Sequence, residues 1–111
     1  MNSFLLKLTV LALLFLTNVN TSYATVNFVG VRSCGEWFSN KRSPLLKAAQ
    51  EDWLLGYLSG LASVTAKDFI TGTDNASIFL WTDNFCKSNP LSGVDDAGNK
   101  LATELIRIKK L

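Results

Sequence analysis

From Ser33 onward, apolar residues recur at three- and four-residue steps, the period of a helix with one buried side. Ser33 stands three residues before Glu36, a capping box, and predicts a short helix over 34–40. Lys41-Arg42-Ser43 reads as a connector. Ser43-Pro44 then gives an N-cap followed by proline at the first helical position, where its missing N–H costs nothing. The helix it opens is the longest, over 44–67. Its expected buried stripe is Leu46, Ala49, Trp53, Tyr57 (or Gly56), Gly60, Leu61 and Val64, with Lys47, Glu51, Asp52 and Ser59 largely off it. Gly56 and Gly60 weaken this helix by up to about 1 kcal/mol each relative to alanine. Sharing one face, they point to close approach of another helix or an aromatic ring there; tolerance of a bend is the plainer alternative.

Thr71 to Asn75 is a turn-rich connector. Asp74 or Asn75 caps a third expected helix over 76–87, with Ile78, Trp81 and Phe85 on its apolar face and Phe79 and Leu80 widening it. Asn89-Pro90 ends it, because proline disfavours helical geometry in the residue before it. Ser92, three residues before Asp95, caps a fourth helix running to about Lys109, with Val94, Ala97, Leu101, Leu105 and Ile108 as its buried stripe. No strand pattern or internal repeat stands out, although Thr25 to Val29 has extended character. The fold class this predicts is all-α, a small four-helix domain.

The N-terminus changes the compartment. Lys7 precedes a run that is apolar from Leu8 to Leu16 except for Thr9, followed by a polar stretch with small residues at Ser22 and Ala24. That is the layout of a cleaved secretory signal, and it places the cut between Ala24 and Thr25. The expected organisation is a signal peptide over 1–24 and one domain over 25–111, periplasmic after export. The apolar run falls short of the roughly 20 residues a bilayer span takes, which disfavours a retained anchor. Cys34 lacks the small, apolar run before it that lipidation needs. Losing Lys7 lowers the formal net charge of +2 by one. A balance so near neutral argues against a nucleic-acid partner, which calls for a basic stripe.

Two cysteines in an exported chain, Cys34 at a helix start and Cys86 at a helix end, are expected to form one structural disulfide enclosing most of the domain. Such a closure contributes about 4 kcal/mol in the chain-entropy model. A zinc site is disfavoured, since two cysteines without histidine leave the tetrahedron unfilled, and the spacing is not the CxxC of a redox centre. The chain has no histidine, which removes the commonest general base and every His-dependent nucleophile. Glu51-Asp52 reads as a solvated pair. Asp74-Asn75 and Asp83-Asn84 are fragments of calcium loops without the spacing or closing glutamate. No glycine-rich phosphate loop is present. Neither an enzyme nor a cofactor or metal is expected.

Phe85-Cys86-Lys87-Ser88-Asn89-Pro90, with a second cysteine upstream near a helix start, resembles the HdeA/HdeB acid-stress proteins of the bacterial periplasm. The resemblance also takes in the signal peptide, the size and the helical layout. The segment Trp53 to Gly60 departs from that family. It looks more like the Gly-Tyr-x-x-Gly helix of the Rap1a/Tai-type immunity proteins. The first resemblance implies a folded, dimeric resting form that loosens in acid and binds unfolded client proteins. The second implies a protein that blocks one secreted effector. A periplasmic structural or assembly factor is a third expectation. The residues expected at an interface are Trp53, Gly56, Tyr57, Gly60, Trp81 and Phe85, with ordinary core packing as their alternative role.

Overall fold

The computed structural model describes residues 2–15 and 29–111. The expected cut between Ala24 and Thr25, and most of the stretch Thr25 to Val29, lie outside them. The described residues are all-α. Helix α1 (Ser3–Phe15) is followed by α2 (Cys34–Ser39), a 3-10 turn (Asn40–Arg42), α3 (Pro44–Thr65), α4 (Asn75–Ser88) and α5 (Val94–Lys109). None of these helices is long and apolar enough to cross a membrane.

Capping explains most of the boundaries. Ser33 Oγ accepts from the Glu36 N–H at 3.1 Å, and the Glu36 carboxylate accepts from the Ser33 N–H at 2.9 Å, the reciprocal box expected. The presumed connector after α2 instead tightens into the 3-10 turn, whose basic residues Lys41 and Arg42 close the α2 end. Ser43 and Pro44 open α3 as read. Helix α3 stops at Thr65, two residues earlier than expected, because Ala66 turns left-handed at φ 53°. Asp74 caps α4, accepting from the Ser77 N–H at 2.8 Å.

The start of α5 departs from expectation. Its N-cap is Gly93, not Ser92, and Asp96, not Asp95, accepts from the Gly93 N–H, at 3.2 Å. Ser92 is used elsewhere: its carbonyl accepts from the Cys34 N–H at 2.9 Å. The Arg32 carbonyl likewise accepts from the Val94 N–H at 2.8 Å, so Ser33 and Gly93 pair as one isolated antiparallel bridge. That pairing fixes where the helix can begin.

Helix α5 packs on both α3 and α4, and α2 closes the other side of α4. The core gathers Cys34, Trp37, Leu54, Leu58, Phe69, Ile78, Cys86, Val94, Leu101 and Ala102. At its centre Cys34 and Cys86 form a disulfide, both side chains buried. The starts of α2 and α5 and the end of α4 therefore meet at one point. Two buried polar side chains elsewhere in the interior are also satisfied. Gln50 donates to the Trp37 carbonyl at 2.8 Å and accepts from Asn40 at 3.2 Å, and Thr82 donates to the Ile78 carbonyl at 2.9 Å.

The buried side of α3 corrects the expected stripe. Its innermost residues are Gln50, Leu54 and Leu58, while Leu46 is 44% and Val64 81% exposed. Relative to the expectation, the helix is rotated by about one residue. Two physical reasons favour this setting. Leucines at 54 and 58 enter the core with no polar atom to satisfy, whereas Trp53 and Tyr57 carry an N–H and an O–H that need partners. On the flank they find them, at the Val29 carbonyl (2.7 Å) and Asn99 Oδ1 (2.8 Å). On α5 the expected stripe holds at Val94, Ala97 and Leu101, while Ile108 is exposed.

Candidate binding surface

Trp53 and Tyr57, four residues apart on α3, stack with ring centroids 5.1 Å apart and planes 10° from parallel. Both are half-buried. Each is fixed from outside its helix. The lead-in chain crosses Trp53, with the Gly30 backbone, at φ 79°, against the indole: a Cβ there would stand 3.1 Å from the ring. Helix α5 fixes Tyr57. A Cβ added at Gly98 would lie 2.8 Å from the Tyr57 ring, so only glycine lets α5 come this close. Burial pushes the Tyr57 hydroxyl above its ordinary pKa, and the charges on Asp95 and Asp96 push it the same way.

Val29, Asp52, Trp53, Gly56 and Tyr57 line a shallow cleft of about 350 Å³. Gly56 is part of its α3 wall, and Gly60 lies one turn further along the same helix. The expected close approach at these two glycines is not made among the described residues: a Cβ added at either would meet nothing there within 4 Å. Both are exposed, as are Ala49 and Ser63, so α3 turns a strip of small residues outward. Gly98, on α5 and outside the expected interface set, is a glycine that packing does require. Its one signal is position, a helix-interior glycine between Ala97 and Leu101 on the apolar side of α5.

The other expected pair, Trp81 and Phe85, also stacks, with centroids 5.7 Å apart. It belongs to α4 and packs half-buried against the core. The six interface candidates therefore divide. Trp53, Gly56 and Tyr57 line one cleft, with Gly60 exposed one turn further along α3, while Trp81 and Phe85 sit on a different helix as part of the packing around the core.

On the α2 side of α4, Trp37 is fully buried and donates from Nε1 to Asp83 at 2.6 Å. Lys41 pairs with the same carboxylate oxygen and lies 5.3 Å from the Phe38 ring centre. This cluster ties α2 and the 3-10 turn to α4. Every buried side-chain nitrogen and oxygen among the described residues has a partner, so the interior offers no polar group aimed at a ligand. Among the described residues no three His, Cys, Asp or Glu side chains gather to hold a metal ion.

Exposed carboxylates hold several starts and turns. The Ser33 N–H, then its hydroxyl, keeps Glu36 below its ordinary pKa. The Thr71 N–H does the same for Asp68, and the Ser77 hydroxyl followed by its N–H for Asp74. No family model, curated protein or solved structure matches the chain.

Proposed function

We propose that this chain is a non-enzymatic, exported periplasmic protein of the HdeA/HdeB kind, binding unfolded client proteins under acid stress. The observation that carries the reading is the use of carboxylates to hold the ends of a disulfide-tied helical domain. Glu36 and Asp74 cap α2 and α4, and Asp68 holds the connector after α3. Acid protonates these groups and leaves the chain strongly cationic, so self-repulsion opposes compaction. The Cys34–Cys86 bond limits how far the chain opens. Loosening bares the half-buried pairs Trp53–Tyr57 and Trp81–Phe85 to clients. The test is a titration with a hydrophobic dye beside an aggregation assay on an acid-denatured client. Dye binding and client protection at about pH 3, both lost on return to neutral pH, are expected. Absence of both in acid overturns the reading.

One observation favours a second reading, a dedicated partner in the manner of the Rap1a/Tai-type immunity proteins. The Trp53–Gly60 surface is already open in the folded chain, so binding there needs no acid. This reading expects one stoichiometric complex at neutral pH and no general protection of clients.

A further inference from the structure

We propose that the exposed glycine face of α3 and the adjoining Trp53–Tyr57 cleft form a docking groove for a basic amphipathic helix of a protein partner. The proposal rests on the reading of the chain as a protein-binding module, and is independent of whether acid activates it. Three features define the occupant. The first is shape. Gly56 and Gly60 present bare backbone one helical turn apart, with open space above both. A partner helix can settle closer over such a strip than the usual 8–10 Å between packed helix axes allows for larger side chains. An extended peptide has less to gain, since the described residues contain no strand edge, only the single Ser33–Gly93 bridge.

The second is apolar cover. The stacked Trp53 and Tyr57 rings, with Val29 at 89% exposure, wall one side, and Leu45 and Val64, at 79% and 81%, lie exposed near the two ends of the helix. Large exposed apolar side chains grouped along one element mark an interaction site more readily than the same residues scattered. The third is charge. Asp52 is the charged member of the cleft lining and has no ion-pair partner among the described residues. Asp95, whose carboxylate folds back over Gly93, and Asp96 stand on the α5 side, close enough to act on Tyr57. Among the described cations of the neighbouring elements, Arg32 pairs with Glu36 and Lys47 with Glu51, while Lys100 on α5 is the one positive charge set against these three carboxylates on that side. On a chain of net charge +2, carboxylates thus outnumber cations beside this cleft, with Asp52 in its lining and Asp95 and Asp96 near Tyr57. Arginine suits both halves of such a site, pairing with Asp52 and packing its planar head beside the Trp53 ring.

The probes are a synthetic amphipathic helix of Ala, Leu and Arg, and a twin with Glu for every Arg. Each is titrated at neutral pH into the isotope-labelled exported protein, its disulfide intact. The basic peptide is expected to bind and to shift backbone resonances of α3 between Asp52 and Val64 and of the α5 start. The acidic twin is expected to bind at least about tenfold more weakly, since like charges across an interface oppose association. Asp52→Lys should narrow or reverse that preference. Gly56→Leu, which has room for its side chain and favours the helix, should abolish docking while raising thermal stability. Equal binding of the twins, or shifts centred on Trp81 and Phe85, overturns the proposal. So does sedimentation of the free protein as a dimer that Gly56→Leu splits, which assigns the groove to a second copy. The client assay in acid is run on the same variants. Loss of docking with client protection intact separates failure of this groove from failure of the chaperone reading.

Discussion

Three glycines set the residue-scale argument, because they look alike in the sequence and differ in what surrounds them. Gly56 and Gly60 sit mid-helix with nothing among the described residues within 4 Å of an added Cβ, while at Gly98 the Tyr57 ring is 2.8 Å away. Alanine at 56 or 60 therefore gains helix propensity without a clash, and each change is expected to stabilise the fold by up to about 1 kcal/mol. Alanine at 98 drives the Tyr57 ring from its place between α3 and α5, and is expected to cost about 1–3 kcal/mol. Denaturant melts of the three variants check this directly, and equal effects would mean that the α3–α5 contact is not as described. Trp37 gives a second contrast. It is fully buried and its indole N–H reaches Asp83. Trp37→Ala is expected to cost about 3–5 kcal/mol through the cavity it leaves, so in thermal melts it should lose far more stability than Gly98→Ala.

At the scale of elements, capping residues made the helices legible and periodicity alone did not orient them. Ser33, Ser43, Pro44 and Asp74 each act where their chemistry indicates, because a cap depends on a few local atoms. The start of α5 escaped that reading since Ser92 is recruited by Cys34, a residue distant in sequence. The rotation of α3 escaped it for another reason. Leucine, alanine, tryptophan and tyrosine surround much of this helix, so two neighbouring registers both read as apolar, and the choice falls to the partners that Trp53 and Tyr57 find on the Val29 strand of chain and on α5. The candidate surface was legible as a set of residue types but not as a surface, because whether a glycine faces a neighbour or solvent is decided by packing. The end of α3 holds a further test. Ala66 adopts φ 53°, a conformation that costs residues with a Cβ about 1–2 kcal/mol. Ala66→Gly relieves most of that and should raise stability by about 1 kcal/mol in the same melts.

For the whole molecule, the disulfide and the carboxylates act on different variables, one on chain entropy and the other on pH. The bond joins residues 52 apart in sequence, so reduction, or Cys34→Ser, should cost about 4 kcal/mol by freeing the unfolded chain. That is comparable with the whole stability of many small domains, and the reduced protein is expected to be partly unfolded at neutral pH by circular dichroism. The pH response follows from the sign of the shifts. Glu36, Asp68, Asp74 and Glu104 are all held below their ordinary values, by hydrogen bonds from Ser33, Thr71, Ser77 and Arg107 respectively. A carboxylate with a lowered folded pKa contributes stability that is fully present above its unfolded value and is lost as pH falls through the folded one. The ordinary values here are 3.8 for the two aspartates and 4.5 for the two glutamates. With no histidine in the chain, no side chain of ordinary pKa changes charge near pH 6. Stability measured by denaturant titration should therefore stay level from neutral pH down to about pH 5, then fall steadily through and below the carboxylate range. Because these groups are exposed and dispersed over α2, the connector after α3, α4 and α5, the decline should be gradual, and added salt should soften the part due to self-repulsion. A sharp transition near pH 6 would be incompatible with this distribution of charge.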